Sequence, residues 1–312
     1  MKIYWADREG KGAPPGCTFH CQGLSLQRLD SLPPPTAPIK IIRRTYSPTR
    51  SEWESNVQKA LKSIQKSELH KVVLARCLTL ELATAPNPLA IAAALKPKSQ
   101  GAFLFCLQSP TFSFLGATPE RLFARKGNEL LTEAIAGTRR RGKNGSEDER
   151  LKLQLLNSPK DLREFSFVQT YLQETLQPLA DPIHFSPLSI HATQNVQHIY
   201  SRCTATLKKE VTDEELLHHL HPTPALCGMP KQKALQFIQK FEPFDRGLYG
   251  GVIGWKTSHS SEWIVAIRSC LIEGKTVKLY SGTGIVAGSD PQEEWEELDQ
   301  KLKLYDGIFL DH

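Results

Sequence analysis

A chain of 312 residues, 40% hydrophobic and 23% charged, is long enough for one large or two ordinary globular domains with a sizeable core. The net charge of +6 is modest for that size and excludes a strongly basic nucleic-acid binder, while no run approaches the roughly 18 apolar residues of a membrane span. The opening MKIYWADREGKG has no apolar centre of the kind a secretory signal needs, and seven cysteines without framework spacing read as scattered thiols in a reducing cytoplasm.

Residues 1–50 are rich in proline (Pro14, Pro15, Pro33, Pro34, Pro35, Pro38) and show one short strand near 3–5 followed by irregular connection. Cys17 and Cys21 bracket His20, but no second Cys/His pair has zinc spacing, so no metal–thiolate site is expected. Ser51 with Glu54 reads as a capping box, and Trp53, Val57, Leu61 and Ile64 recur at helical spacing to about residue 67. Strands are predicted at 71–80, 102–107, 111–115 and 130–136, with a helix at 88–95 between the first two. The basic run Arg139, Arg140, Arg141 and Lys143 lacks aromatic interleaving and leads straight into Glu147, Asp148 and Glu149. It reads as a solvated loop or an attractor of small anions.

Ser146 with Glu149 is predicted to cap a helix, Ser158 before Pro159 a longer one to about residue 176, and Thr212 with Glu215 a third. Pro230 opens another, ending near Phe241; His218, His219 and His221 read as a solvated helix end. The final third reads as an antiparallel meander, with strands at 249–255, 262–272 and 276–281. It feeds a last helix that Asp290 caps and Pro291 opens. Strands, then helices, then strands, without a βαβ alternation, predict an α+β fold of large antiparallel β-sheets flanked by helices. No internal repeat and no dividing linker is visible.

Two helices carry carboxylates where apolar residues belong. On a wheel of the helix after Ser158, Glu164 has Phe167 and Tyr171 to one side and Val168 and Leu172 to the other. A carboxylate at the centre of a buried stripe needs a partner. Pairing with Lys160 one turn earlier and participation in a site are equally good explanations. In the last helix, Trp295, Leu298, Leu302 and Tyr305 form the apolar stripe, and Glu294, Glu297 and Lys301 lie along its edge. An incidental Glu297–Lys301 pair would account for that edge, as would a charged site. Three carboxylates without sulphur or imidazole suit a hard cation such as Mg2+, provided the fold brings them together. Gly282, Gly284 and Gly288 are spaced GxGxxxG and the helix begins too late for a dinucleotide turn.

Several segments, in order, resemble the chorismate-utilising enzymes, the anthranilate synthase component I-like family. They are KVVLAR (71–76), GATPERLF (116–123), AIAGTRRRG (134–142), SPKDLREFSFV (158–168), LHPTPALCGMP (220–230), FEPFDRGLYGGVIGW (241–255), WIVAIRS (263–269) and SGTGIVAGSDPQEEWEELDQKL (281–302). The resemblance implies that family's α+β fold, with 51–312 as a chorismate-binding catalytic domain and 1–50 as a short N-terminal region contributing to the same domain. A lysine at position 71 marks members that add water to chorismate, and Ala136, where amine-forming members carry lysine, points away from them. The branch implied is isochorismate synthase, serving a menaquinone-type pathway. Salicylate synthase and a non-catalytic chorismate-binding relative are the alternatives.

Carried onto this chain, the resemblance implies Lys71 as general base and Glu120 as general acid. It gives Mg2+ held by Glu164 and Glu297 with Glu294 through water, and substrate contacts from Gly137, Thr138, His198, Ala225, Arg268, Gly282 and Lys301. A lysine works as a base near neutrality only where burial or a neighbouring cation disfavours its charged form, which suits its place beside Val72, Val73 and Leu74. Neither nucleic acid, membrane nor a glutamine amidotransferase subunit is expected as partner, and the chain is expected to be a monomer or weak homodimer. The chain departs from the family in its abbreviated N-terminal region and in Cys227, expected to tighten the pocket where a smaller residue is usual.

Overall fold

Asparagine, serine, threonine and aspartate caps and proline starts delimit most helices of the computed structural model, which describes residues 1–21, 24–36, 39–193 and 195–309. The chain opens with four strands, β1 (Lys2–Ala6), β2 (Thr18–Cys21), β3 (Leu24–Leu29) and β4 (Ile41–Ser47), where one strand and irregular connection were expected. Helix α1 (Arg50–Gln65), β5 (Lys71–Leu82) and α2 (Pro88–Leu95) follow. Next come β6 (Phe103–Gln108), β7 (Ser113–Thr118), β8 (Arg121–Lys126) and β9 (Glu129–Arg140), then helices α3 (Gly145–Leu156) and α4 (Pro159–Leu176). The strands β10 (Ala180–Phe185), β11 (Ser189–Ala192) and β12 (Val196–Leu207) precede α5 (Asp213–Leu220), β13 (Gly228–Met229) and α6 (Lys231–Phe241). The chain closes with β14 (Val252–Lys256), β15 (Ser260–Val265), β16 (Ser269–Glu273), β17 (Thr276–Ile285) and α7 (Pro291–Leu302).

These strands form two sheets that meet at β3. One runs β4-β5-β17-β16-β7-β6-β1-β3, with β13 on the far end of β5. The other runs β3-β2-β14-β15-β8-β9-β12, with β10 and β11 both on β12. Every pairing is antiparallel except β1 with β3. Tryptophan and phenylalanine side chains from both sheets, among them Trp5, Phe19, Phe103, Phe105 and Trp255, pack into one core. Helices α4 and α5 cover the second sheet through Phe165, Val168, Leu172 and Leu216. On the first sheet, Trp53, Val57, Ala234, Phe237 and Leu298 from α1, α6 and α7 cover Val72, Leu74 and Ile285. No described helix is long and apolar enough to cross a membrane.

The architecture is the α+β class that the sequence predicts, with local corrections. Helix α1 starts one turn-fraction earlier than Ser51: its N-cap is Thr49, whose amide donates to the Glu52 carboxylate at 2.8 Å. That register lets the buried Trp53 indole donate to the Pro291 carbonyl at 3.0 Å, tying α1 to the start of α7. Helix α3 is capped by Asn144 rather than Ser146. The segment 262–272 is two strands, because the backbone leaves the extended region at Arg268, where φ is 51°.

Candidate active site

Between the two sheets lies a cleft with about 670 Å³ of empty space, open solvent included. Strands β5 and β17 give one wall, β9 and β12 the other, and α4 and α7 bring carboxylates to it. All the site residues expected from sequence line it except Lys71 and Glu294, which stand directly behind the wall.

The wall from β9 and β12 depends on one extra residue. His198 pairs with Thr138 and Ile199 with Ala136, so Gly137 is a bulge, with φ of 69°. Glycine adopts that conformation without the penalty other residues incur. A Cβ there would also come to 3.1 Å from Asp161 at the start of α4. The bulge turns the Gly137 carbonyl toward His198 Nδ1, 3.1 Å away. On the other side of the ring, Nε2 faces Arg268 Nη2 at 3.3 Å. An arginine can only donate, so Nε2 accepts and Nδ1 carries the proton. Burial, with Arg268 and Lys301 nearby, holds His198 well below the usual imidazole range, so the ring is a neutral spacer that aims the guanidinium.

Arg268 sits in the left-handed region, uncommon for a residue with a side chain, at the break between β15 and β16. Its carbonyl accepts from the Ala117 amide at 3.2 Å and the Tyr305 hydroxyl at 3.1 Å, which fixes the turned backbone. Burial lowers its guanidinium to about 10. It remains a cation at neutral pH, with forked donors available to a carboxylate.

Glu120 follows Pro119 in the short link between β7 and β8 and is 8% exposed. Thr223 donates to its Oε1 at 3.3 Å. Burial dominates, and pushes the carboxyl up to about 7 despite Thr223 and Lys71 pulling the other way. It is therefore an acid with a proton to give near neutrality.

The opposite wall is a set of lysine–carboxylate pairs. Lys71, fully buried on β5, places Nζ 2.9 Å from Glu164 Oε1. Lys160 pairs with Glu294 at 2.5 Å, and Lys301 with Glu297 at 2.6 Å. The intrahelical Lys160–Glu164 pair considered from sequence is absent, because Lys160 reaches across to α7. Thr283 joins the set, its Oγ1 lying 2.6 Å from Glu294 and 2.9 Å from Glu297. One hydroxyl hydrogen serves only one of them at a time. Burial and the neighbouring Glu297 raise Glu294, whereas Lys301 overcomes burial to lower Glu297.

Glycines leave room for this wall. A Cβ at Gly284 would strike the Glu164 carboxylate and come to 2.7 Å from Lys71 Cε; one at Gly282 would meet the Tyr249 hydroxyl at 2.7 Å. Lys301 also donates to the Gly282 carbonyl at 2.7 Å. Ala225 lines the cavity from the loop that carries Thr223. Cys227 does not tighten the pocket: it is buried beneath α6, in the core shared with α1.

Thr223, Tyr249 and Thr283 are site residues that the sequence reading missed. Thr223 and Thr283 carry no signal of their own, although both lie inside family-like segments with Tyr249. The run 139–141 is also less free than it reads, since Arg139 pairs with Asp161 at 2.8 Å and Arg141 with Asp148 at 2.7 Å. Among the described residues no cluster of three or more His, Cys, Asp or Glu side chains converges into a preformed metal cage. Glu164 and Glu297 do present oxygen donors to one cavity, which fits a hard cation whose shell substrate oxygens complete.

A family profile described as chorismate binding enzyme matches residues 21–306. The chain is 40% identical over 272 residues to isochorismate synthase 2, chloroplastic, of Arabidopsis thaliana, covering 86% of this chain and 48% of that protein. It is similar in structure to MenF, the menaquinone-specific isochorismate synthase of Escherichia coli, with a TM-score of 0.82 and 35% identity over 88% of this chain and 64% of the other. Anthranilate synthase component I from Streptococcus pneumoniae shares the fold, with a TM-score of 0.76 at 22% identity over 86% of this chain and 60% of the other. The chain thus spans about half to two-thirds of the length of these relatives.

Proposed function

The chain belongs to the chorismate-binding enzymes, and on that premise we propose that it is an isochorismate synthase, an isomerase that adds water at C2 of chorismate and expels the C4 hydroxyl. The observation that carries this reading is the pairing of a fully buried lysine behind one cavity wall with a buried carboxyl of raised affinity for its proton in another. Lys71 takes the proton of the attacking water at Nζ. Glycine at 284 leaves the space that Lys71 Cε and the Glu164 carboxylate occupy, which lets the amine lie directly behind the cavity wall. Glu120 delivers its proton to the departing C4 oxygen as the ring double bonds shift, so one water enters and one leaves.

Arg268, aimed by His198, forks onto the enolpyruvyl carboxylate. The Gly137–Thr138 bulge approaches the ring carboxylate closely, and Ala225, Gly282 and Lys301 complete the surround. Glu164 and Glu297, with Glu294 behind them, would hold Mg2+, which when bound supplies positive charge to the ring carboxylate. A cytoplasmic setting fits seven cysteines that are all unpaired thiols, and menaquinone synthesis fits the likeness to MenF. No amidotransferase subunit is invoked, because water rather than ammonia is the nucleophile.

Chromatographic analysis of products from chorismate, with and without Mg2+, tests the reading. Isochorismate that forms only with Mg2+ is expected. Accumulation of salicylate and pyruvate would overturn it in favour of a salicylate synthase, and no turnover would leave a binding protein.

A further inference from the structure

The acid Glu120 is aimed by a residue more than a hundred positions earlier. Arg8 lies just past β1, in the turn closed by the Asp7 amide donating to the Lys11 carbonyl at 2.7 Å. Its guanidinium forks onto Glu133 of β9, with Nη1 2.7 Å from Oε1 and Nη2 2.6 Å from Oε2. The same Nη2 donates to the carbonyl of Pro119. Arg121 holds the other side of Glu133 at 2.8 Å and reaches Glu262 at 2.8 Å, while the Tyr200 hydroxyl donates to Glu133 at 3.2 Å. The ring of Phe103 lies beneath both guanidinium groups, at 4.9 Å from Arg8 and 5.2 Å from Arg121. Burial alone would raise Glu133, but Arg8 and Arg121 hold it below the usual carboxylate range.

The Pro119 carbonyl and the Glu120 amide belong to one planar peptide unit. Arg8 grips the oxygen end of that plane, and Thr118 Oγ1 accepts from the nitrogen end at 3.1 Å. The Glu120 carbonyl is fixed in turn by the Val265 amide at 3.1 Å. Proline has no N–H of its own to anchor the link, so the guanidinium at the oxygen end and Thr118 at the nitrogen end together oppose a rotation of the plane that would swing Glu120 out of the cavity. We propose that Arg8 is a positioning residue for the catalytic acid, clamping the peptide that carries Glu120 against the Glu133–Arg121 cluster. The proposal rests on the reading of Glu120 as the acid. It makes the N-terminal region part of the catalytic apparatus, although no described residue of that region lines the cavity.

Steady-state kinetics with chorismate and Mg2+ on Arg8→Lys and Arg8→Ala test it, beside thermal melts and with Glu120→Gln as reference. Arg8→Lys keeps a cation opposite Glu133 but cannot fork onto it and reach Pro119 as well. It should melt near wild type, lose about tenfold to a hundredfold in kcat, and change KM by less than about threefold. Added guanidinium ion should restore part of the turnover of Arg8→Ala. The proposal is overturned if Arg8→Lys retains kcat within about twofold, if its loss lies mainly in KM, or if turnover falls only in proportion to the folded fraction. An active Glu120→Gln would instead sink the acid assignment itself. An inactive Glu120→Gln beside a normal Arg8→Lys removes the positioning role alone.

Discussion

The raised Glu120 carboxyl has a consequence for stability that can be measured apart from catalysis. Its affinity for a proton corresponds to a value of about 7 in the folded chain against 4.5 for an ordinary, solvated glutamate. The folded state therefore binds that proton more tightly than the unfolded state does. The stability this contributes is fully present below pH 4.5 and is lost as pH rises through 7. At about 1.4 kcal/mol per unit the full span is about 3 kcal/mol, most of which is lost between about pH 5 and pH 8. Glu120→Gln keeps the shape and an oxygen for the Thr223 hydroxyl but cannot ionise. Urea unfolding of both proteins at the two pH values isolates the residue, because every other titrating group is common to both. The Gln variant should gain about 2–3 kcal/mol relative to wild type on going from the lower to the higher pH. Parallel pH dependences would refute the claim that Glu120 is desolvated. If Glu120 is the acid, the same titration should give kcat/KM an alkaline limb that falls above about pH 7.

Replacing Lys71 by Met should lower turnover by about 10²–10⁴. A variant active within about tenfold would remove Lys71 from the base role. Glu297→Gln should abolish Mg2+-dependent turnover while leaving the circular dichroism spectrum unchanged; activity retained at ordinary Mg2+ concentrations would exclude a ligand role. Gly137→Ala should destabilise by at least about 1 kcal/mol, through its φ of 69° and the approach to Asp161, and should raise KM as the bulge reshapes. Wild-type melting and KM in that variant would show that the bulge tolerates a side chain.

Much of the helical framework was legible because its signals are local. Asp290 before Pro291, Ser158 before Pro159 and Asn87 before Pro88 all cap where the chain turns helical. At the start of α1, Thr49 with Glu52 and Ser51 with Glu54 both fit a capping box, and the folded chain uses the first. The strands from 180 to 207 escaped notice because the long one, β12, buries Gln197, His198 and Ser201 among its apolar residues, which erases the alternation. The site residues themselves were placed by family resemblance, whereas their partners were not. Which lysine meets which carboxylate depends on how α4, α7 and β5 pack, and no spacing within one helix encodes that.

The shared strand β3 has a bearing on how the chain reaches this structure. Strand β2 completes its sheet against β14, and β5 completes its own against β17, both across roughly two hundred residues of sequence. At about 5–20 residues per second of synthesis, Phe19 and its neighbours wait roughly 10–50 s before the Ile253 strand exists to receive them. Ile3 and Trp5, buried in the same core, meet their partner strand β6 sooner, after about a hundred residues. Folding to the native sheet order is therefore late and non-local, and the nascent chain carries apolar strands whose partners arrive about two hundred residues later.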